Sequence, residues 1–399
     1  MAKLRSAASK LPRRSLLVTL LLVTIALPLC LSPHHAAASA AIRKFHLPLA
    51  ARRAHPPAGP YYQGEFGYGL NLCNTDVRAA TEIGFGYVKL YARWADCEPR
   101  KGAYTWNGAT ASLQHTIAAA AASGVRIVLR VDTPPSWAAP GSGNRPPTNP
   151  ADFGDFMGAF ATHMKGQVAA YEIWNEPNLN YEWGNMRPNP ERYTELLKAA
   201  YPKIKAADPR VVVLTAGLAS TGGDGGVTAL NDVEFIDRMY RAGAKGYFDA
   251  LGSHPYGFAS PPETRNPNHV TDFRRAADQH AVMERYGDGA KQIWATEFGW
   301  LIDPSEYGHP EYLGDPLWSG RQWQKVSAQT QADYLVRAYQ YAYANWPWMG
   351  VMLLFNYDFS TAGWYPPAEP MRWYAILNPD FSPRPAYNAL KAMPKPSWR

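Results

Sequence analysis

From residue 66 to residue 393 the sequence alternates short runs of strand formers with longer helical stretches, about one pair every 35–45 residues. The strand runs fall at 66–71, 87–93, 125–131, 168–174, 211–216, 247–253, 292–296 and 351–356. Helical stretches follow at 76–83, 109–123, 150–165, 190–206, 233–241, 271–286, 327–345 and 383–393. Parallel strands joined by right-handed helical crossovers close on themselves when eight units are present. The expectation is therefore an α/β fold, a (β/α)8 TIM barrel, occupying residues 64–399 as a single catalytic domain. Runs five and six are the least marked, so seven or nine units also fit the rhythm.

In such a barrel chemistry is done where the strands end. The fourth run, Val168 to Trp174, leads into Asn175 and Glu176, and Pro177 then stops the ladder because it has no N–H to give. Proline also favours an extended backbone at the residue before it, here Glu176. The seventh run leads into Glu297, followed by Phe298 and Gly299. Strands four and seven of a closed barrel lie nearly opposite each other, so the two carboxylates can face across it. Such a pair is what glycoside hydrolysis with retention requires. One carboxylic acid protonates the leaving oxygen while a carboxylate ~5–5.5 Å away attacks the anomeric carbon. Alone, Glu297 would read as a surface acid, and its case rests on the pair. Asn175 is placed to hydrogen-bond the 2-hydroxyl of a sugar.

The stretches after the strands, notably 133–149, 179–187, 256–268, 301–321 and 357–374, are rich in Gly, Pro and aromatics. Long loops on the carboxyl face are where a barrel builds its substrate groove. Trp137, Trp183, Trp300, Trp318, Trp364 and Trp373 fall in or beside them. Such rings either stack on sugar faces or anchor the loops. Asp132, ending the third strand, either touches substrate or caps a turn. No Gly-x-Ser-x-Gly elbow, His-Glu-x-x-His helix or phosphate-cradling glycine loop is found, and the paired-carboxylate mechanism needs neither cofactor nor metal.

The formal charge of +7 suggests an anionic partner until it is located along the chain. Residues 1–55 hold nine Lys or Arg and no acid, leaving 31 basic against 33 acidic residues. The excess belongs to the leader, so no nucleic-acid partner is expected. Lys3 to Arg14 is basic, Leu16 to Leu31 apolar, and Ala38-Ser39-Ala40 offers a small-residue cleavage pattern. Residues 1–40 thus read as a signal peptide and the product as secreted, with a retained membrane anchor as the alternative. Residues 41–63 are Pro-rich and read as a linker. Beyond the leader no run reaches membrane length, and a monomer is expected. Cys73 and Cys97 could pair in an exported protein or remain free.

Trp174-Asn175-Glu176-Pro177 resembles the strand-four motif of the clan A glycoside hydrolases, and Ala295-Thr296-Glu297-Phe298-Gly299-Trp300 is similar to their strand-seven motif. The resemblance spans roughly residues 66–387. It implies Glu176 as acid/base and Glu297 as nucleophile. It further implies that Arg93 holds the nucleophile, that His254 contacts substrate, that Tyr256 lies near the nucleophile, and that Trp364 floors the subsite at the scissile bond. Tyr104-Thr105-Trp106 and Pro134-Pro135-Ser136-Trp137 are most similar to family 39, or the neighbouring family 5. A poly- or oligosaccharide is then the expected substrate. The expected candidate site comprises Glu176, Glu297, Asn175, Arg93, His254, Tyr256, Trp137, Trp300 and Trp364. A barrel that only binds carbohydrate, or a transglycosylase using the same residues, are the alternatives.

Overall fold

The computed structural model describes residues 62, 64–73, 76–141 and 143–396. The expected signal peptide lies outside these residues, as does the Pro-rich segment apart from Tyr62. Eight strands form the core: β1 (Gly67–Asn71), β2 (Tyr87–Arg93), β3 (Arg126–Asp132), β4 (Ala170–Ile173), β5 (Val212–Thr215), β6 (Leu251–His254), β7 (Ile293–Phe298) and β8 (Met349–Leu354). Each is followed by a helix: α1 (Ala79–Glu82), α2 (Ala109–Ala122), α3 (Pro150–His163), α4 (Pro190–Ala207), α5 (Asp232–Arg241), α6 (Arg275–Arg285), α7 (Ala328–Asn345) and α8 (Pro385–Ala392).

All pairings in the main sheet are parallel, and the order runs β5-β4-β3-β2-β1-β8-β7-β6. The ends of this order meet. Thr215 N–H donates to Ala250 O (3.2 Å), Asp249 N–H to Val213 O (2.8 Å), and Leu214 bridges Ala250. A two-residue strand beyond β5, Leu218–Ala219, then pairs with Ser253 and His254 of β6. The eight-unit expectation holds, with the seam between β5 and β6 the thinnest join.

Local chemistry accounts for where elements begin. Asn149, Asn189 and Asn231 each stand before a helix and accept a backbone N–H of its first turn, and Pro150 and Pro190 occupy first helical positions. The sixth strand begins later than the 247–253 run suggests. Gly243 and Gly246 have φ of 83° and 89°, and Tyr247 N–H bonds Ala244 O, so the chain is still turning there. The fourth strand stops at Ile173 because Trp174 takes φ 77°.

Side chains sort by strand parity into two shells. Val88, Leu90, Ile127, Leu129, Tyr171, Ile173 and Val213 face the helices. Inside the barrel, Tyr87, Val128, Ala170, Leu214, Ala250, Trp294, Val351 and Leu353 form an apolar floor. Beyond that floor, further along the inward faces of their strands, stand Lys89, Arg130, Glu172 and His254. Cys73 and Cys97 are buried and are not bonded to each other, so the disulfide alternative is not realised. Among the described residues no helix is long and apolar enough to cross a membrane.

Candidate active site

Parity alone would send Glu297 toward the helices, since Trp294 and Thr296 point inward. The register corrects this. Ala295 pairs with Met352 and Phe298 with Leu354, so two residues of β7 oppose one residue of β8. The extra residue turns Glu297 into the barrel, where bulges commonly re-aim a side chain. Glu176 lies three residues beyond the last pair of β4, at Ile173. Its φ is 37°, not the extended conformation that Pro177 favours. What holds it there is its surroundings: its N–H donates to Gly217 O (3.1 Å), its carbonyl accepts from Leu179 N–H (2.9 Å), and its Oε1 meets His254 Nδ1 at 2.8 Å. Left-handed non-glycine residues of this kind persist where neighbours over-determine them.

Gly217 can carry no side chain. A Cβ there would stand 2.2 Å from the His254 ring and 2.6 Å from Thr296 Oγ1. The close approach lets its N–H reach Glu172 Oε1 (3.0 Å) while its carbonyl holds Glu176.

One oxygen of Glu176, one of Glu297 and one ring nitrogen of His254 all lie within 4.8 Å of one another. The surroundings of the two carboxylates differ. Glu297 Oε2 accepts from Tyr256 Oη (2.9 Å), while Oε1 accepts from Lys89 Nζ (3.1 Å) and has Arg130 Nη1 at 4.0 Å. Burial opposes its charge, but His254, Lys89 and Arg130 outweigh burial and hold the Glu297 carboxyl below the usual range. Glu176 has His254 as its direct polar partner. Lys89 also binds Glu172 Oε2 (2.7 Å), and Thr296 Oγ1 donates to Glu172 Oε1 (2.6 Å). Burial likewise opposes the Glu172 charge, and Lys89 and His254 overcome it, holding that carboxyl well below its usual range. The donor atoms of Glu176, His254 and Glu297 could gather a cation. Glu176 is already bonded to His254, however, and Glu297 to Tyr256 and Lys89, and Lys89 and Arg130 supply the positive charge.

Burial also opposes the charge on His254, yet Glu297, Glu172 and Glu176 push it up to about 9. An unfolded histidine titrates near ~6.5. The folded state therefore holds the proton more tightly, and His254 contributes stability that is full below that value and lost as pH rises through 9. Urea midpoints measured between pH 6 and 10 should fall along this window, and His254→Asn should flatten the fall. A wild-type midpoint constant to pH 10 would contradict the paired imidazolium.

The remaining expected residues separate. Asn175 is buried beside Glu176, and its Oδ1 has no hydrogen-bond partner among the described residues. Arg93 does not reach Glu297: its guanidinium pairs with Asp96 at 3.3 Å, and the cations at Glu297 come from Lys89, earlier on β2, and from Arg130 on β3. Trp300 is fully buried, donates to Ser260 O (2.8 Å) and packs against Phe273 and Tyr334, so no sugar can stack on it. Trp137 is an anchor, donating to Glu98 O (2.9 Å) with its ring edge-on to Trp94. Trp364 stays partly open beside Tyr365. Trp183 and Trp318 are buried. Asp132 meets Arg130 Nε at 2.9 Å.

Sequence reasoning passed over Lys89, Arg130 and Glu172, whose signal is a lone charge inside an otherwise apolar strand. It also missed Glu182, in the turn Tyr181–Trp183 after β4. Burial, together with repulsion from Glu176 and Asp132, outweighs Arg130 and pushes the Glu182 carboxyl up to about 8.

With this geometry in view, the comparisons with known proteins are informative. The family model described as Cellulase (glycosyl hydrolase family 5) matches residues 70–249, a span that includes β4 and Glu176. A family 39 glycoside hydrolase from Bacteroides cellulosilyticus WH2 superposes with TM-score 0.60 at 20% identity, over 83% of this chain and 64% of that one. A GH39 enzyme from Xanthomonas axonopodis pv. citri gives TM-score 0.57 at 19% identity, over 84% and 66%. A GH39 β-xylosidase from Caulobacter crescentus gives 0.55 at 18%, over 85% and 72%. The chain thus spans about two thirds of the length of these structures. No curated protein matches the sequence. Fold and family match make the chain similar to the clan A glycoside hydrolases, a class built on the (β/α)8 barrel that this chain also forms. Within that class the chain is similar to families 39 and 5.

Proposed function

We propose that this chain hydrolyses O-glycosidic bonds of a poly- or oligosaccharide by double displacement, with Glu297 as nucleophile and Glu176 as acid/base. The observation that carries the reading is the asymmetry of two carboxylates set within 4.8 Å. One is ringed by Lys89, Arg130 and Tyr256, which favour an anion ready to attack; the other is tied to His254 alone. In its role Glu176 accepts His254 Nδ1–H on Oε1 and presents a proton from Oε2 to the leaving oxygen. That oxygen then departs as a neutral hydroxyl. Glu297 closes the covalent glycosyl-enzyme, and Glu176, now a carboxylate, removes a proton from the water that opens it. Asn175, with an unpartnered buried oxygen at the same spot, is the group for the 2-hydroxyl.

The spacing leaves no room for a water between nucleophile and sugar, unlike the ~6.5–9.5 Å gap of inverting enzymes. The first product should therefore keep the substrate's anomeric configuration. Proton NMR of a fresh digest, read before mutarotation, checks this, and the opposite anomer appearing first would remove the nucleophile role from Glu297.

Export is the second part of the reading, supported by the basic, apolar and small-residue succession of residues 3–40. Expression from the full chain should release a protein into the medium whose first residue follows Ala40. A product that keeps residues 1–40 would make the segment an anchor.

A further inference from the structure

The loops that follow β7 and β8 enclose a cavity of about 380 Å³, and its lining includes neither glutamate of the catalytic pair nor His254. Tyr307, Tyr312 and Trp373 give it aromatic walls; Arg372, Arg384 and Ser360 give it polar ones. Short 3-10 turns, Pro304–Tyr307, Pro310–Gly314 and Pro370–Trp373, hold the rings in place. Beyond them Leu377 bridges Pro383, and the tight return brings Arg384 beneath the cavity.

Arg384 is 1% exposed, with its guanidinium carbon 5.0 Å from the Tyr307 ring and 5.2 Å from the Trp373 ring. Its Nε donates to Asn378 Oδ1 (3.0 Å), and Nη1 to the carbonyls of Ala375 (2.7 Å) and Arg372 (3.3 Å). Among the described residues Nη2 has no hydrogen-bond partner and no carboxylate neutralises the group. Burial pushes this guanidinium down to about 10, which still leaves it charged at neutral pH. Arg372 spends Nη1 on the carbonyls of Ala362 and Tyr365 and likewise has no carboxylate partner. Two buried atoms in the lining, Trp373 Nε1 and Ser360 Oγ, have no hydrogen-bond partner among the described residues. A buried donor left unmet costs about 1–3 kcal/mol, so several converging on one cavity favour a ligand rich in acceptors. The carboxylate in the lining, Asp380, sits at the exposed rim, with Oδ1 engaged by Ser382 N–H and Oγ. His309 is engaged by Glu311 (3.0 Å).

We propose that this cavity is a second carbohydrate site, taking a sugar unit that bears a carboxylate. The apolar face of the ring lies against Tyr312 and Trp373, and the carboxylate meets the unfilled donors of Arg384 and Arg372, where planar forks and planar anions match. Trp373 adjoins Tyr374, whose ring is 5.4 Å from Tyr256, the residue that donates to Glu297. A glycan that enters the barrel can thus leave an acidic unit in this cavity. The site does not depend on hydrolysis at the catalytic pair.

Calorimetric titration of the whole protein with methyl glucuronide, methyl glucoside and acetate tests it. The glucuronide should bind at least about tenfold more tightly than either of the others. Arg372→Gln, on the half-buried wall, should weaken the glucuronide about tenfold while leaving hydrolysis of a neutral aryl glycoside unchanged; Arg384→Lys should do the same where it folds. Equal affinity for glucoside and glucuronide would overturn the proposal. So would acetate binding as tightly as the glucuronide, or an Arg372→Gln protein that binds like wild type. Glucuronide binding that stands in a protein active on no glycoside would instead remove the hydrolytic reading alone.

Discussion

Glu297→Ala should lower turnover by roughly 10⁴-fold or more on every substrate, activated or not, because without the attacking carboxylate no covalent intermediate forms. Glu176→Ala should behave differently. A dinitrophenol leaves without help from an acid, so on a dinitrophenyl glycoside the first step survives and the second, which needs a base, becomes slow. On a polysaccharide, whose leaving alcohol must be protonated, the same variant should lose on the order of 10²–10⁴-fold. Azide, which needs no base, should restore the activated substrate in Glu176→Ala. Steady-state rates of both variants on both substrates distinguish the roles. An equal loss on the two substrates in Glu176→Ala would remove its acid role, and full activity in Glu297→Ala would remove the nucleophile.

Lys89→Met keeps the length of the side chain and deletes its charge. Lys89 and Glu172 are both 0% exposed, and the ammonium lies 2.7 Å from Glu172 and 3.1 Å from Glu297. Without it two buried carboxylates share His254 and the more distant Arg130, and breaking a buried pair in this way costs about 3–5 kcal/mol. Urea denaturation should show that loss. The acid limb of the pH–rate profile should move upward as well, since Glu297 would take up a proton more readily. A stability change below about 1 kcal/mol, with the limb unmoved, would mean that the ammonium contributes little to either carboxylate.

Much of the fold could be read from residues alone because parallel strands buried on both faces leave continuous apolar runs, and helices between them leave stretches of fixed length. β2 begins and ends where its run does, Tyr87 to Arg93. The places of Glu176 and Glu297 at strand ends were legible for a similar reason, since proline and glycine mark the points where β4 and β7 give way to loops. The charged layer was not. Lys89, Arg130 and Glu172 alternate with apolar residues as they would on a strand with one wet face, and only closure of the sheet places that face inside a barrel. The bulge that turns Glu297 inward leaves no mark in composition either. Tryptophans misled because a loop residue can fold back: Trp300 reads as a platform for sugar and stands buried against Phe273 and Tyr334. Arg93 ends its strand as expected, yet the pairing that closes around Glu297 draws on Lys89, two repeats of the pleat deeper on the same strand.

The charged layer has a further consequence for anyone wishing to harden this protein against heat. In most domains the core is the part that tolerates redesign, because any well-fitting set of apolar side chains serves. Here the middle of the barrel is wired: Lys89, Glu172 and His254 fill space between the strands, and Lys89 and His254 at the same time favour the charge on Glu297. Exchanging them for leucine and valine would strip Glu297 of the charges that hold its carboxyl low. The freedom to engineer lies in the outer shell, where Leu90, Leu129, Ile173 and Val213 meet the helices. There, packing can be tightened without touching the circuit inside.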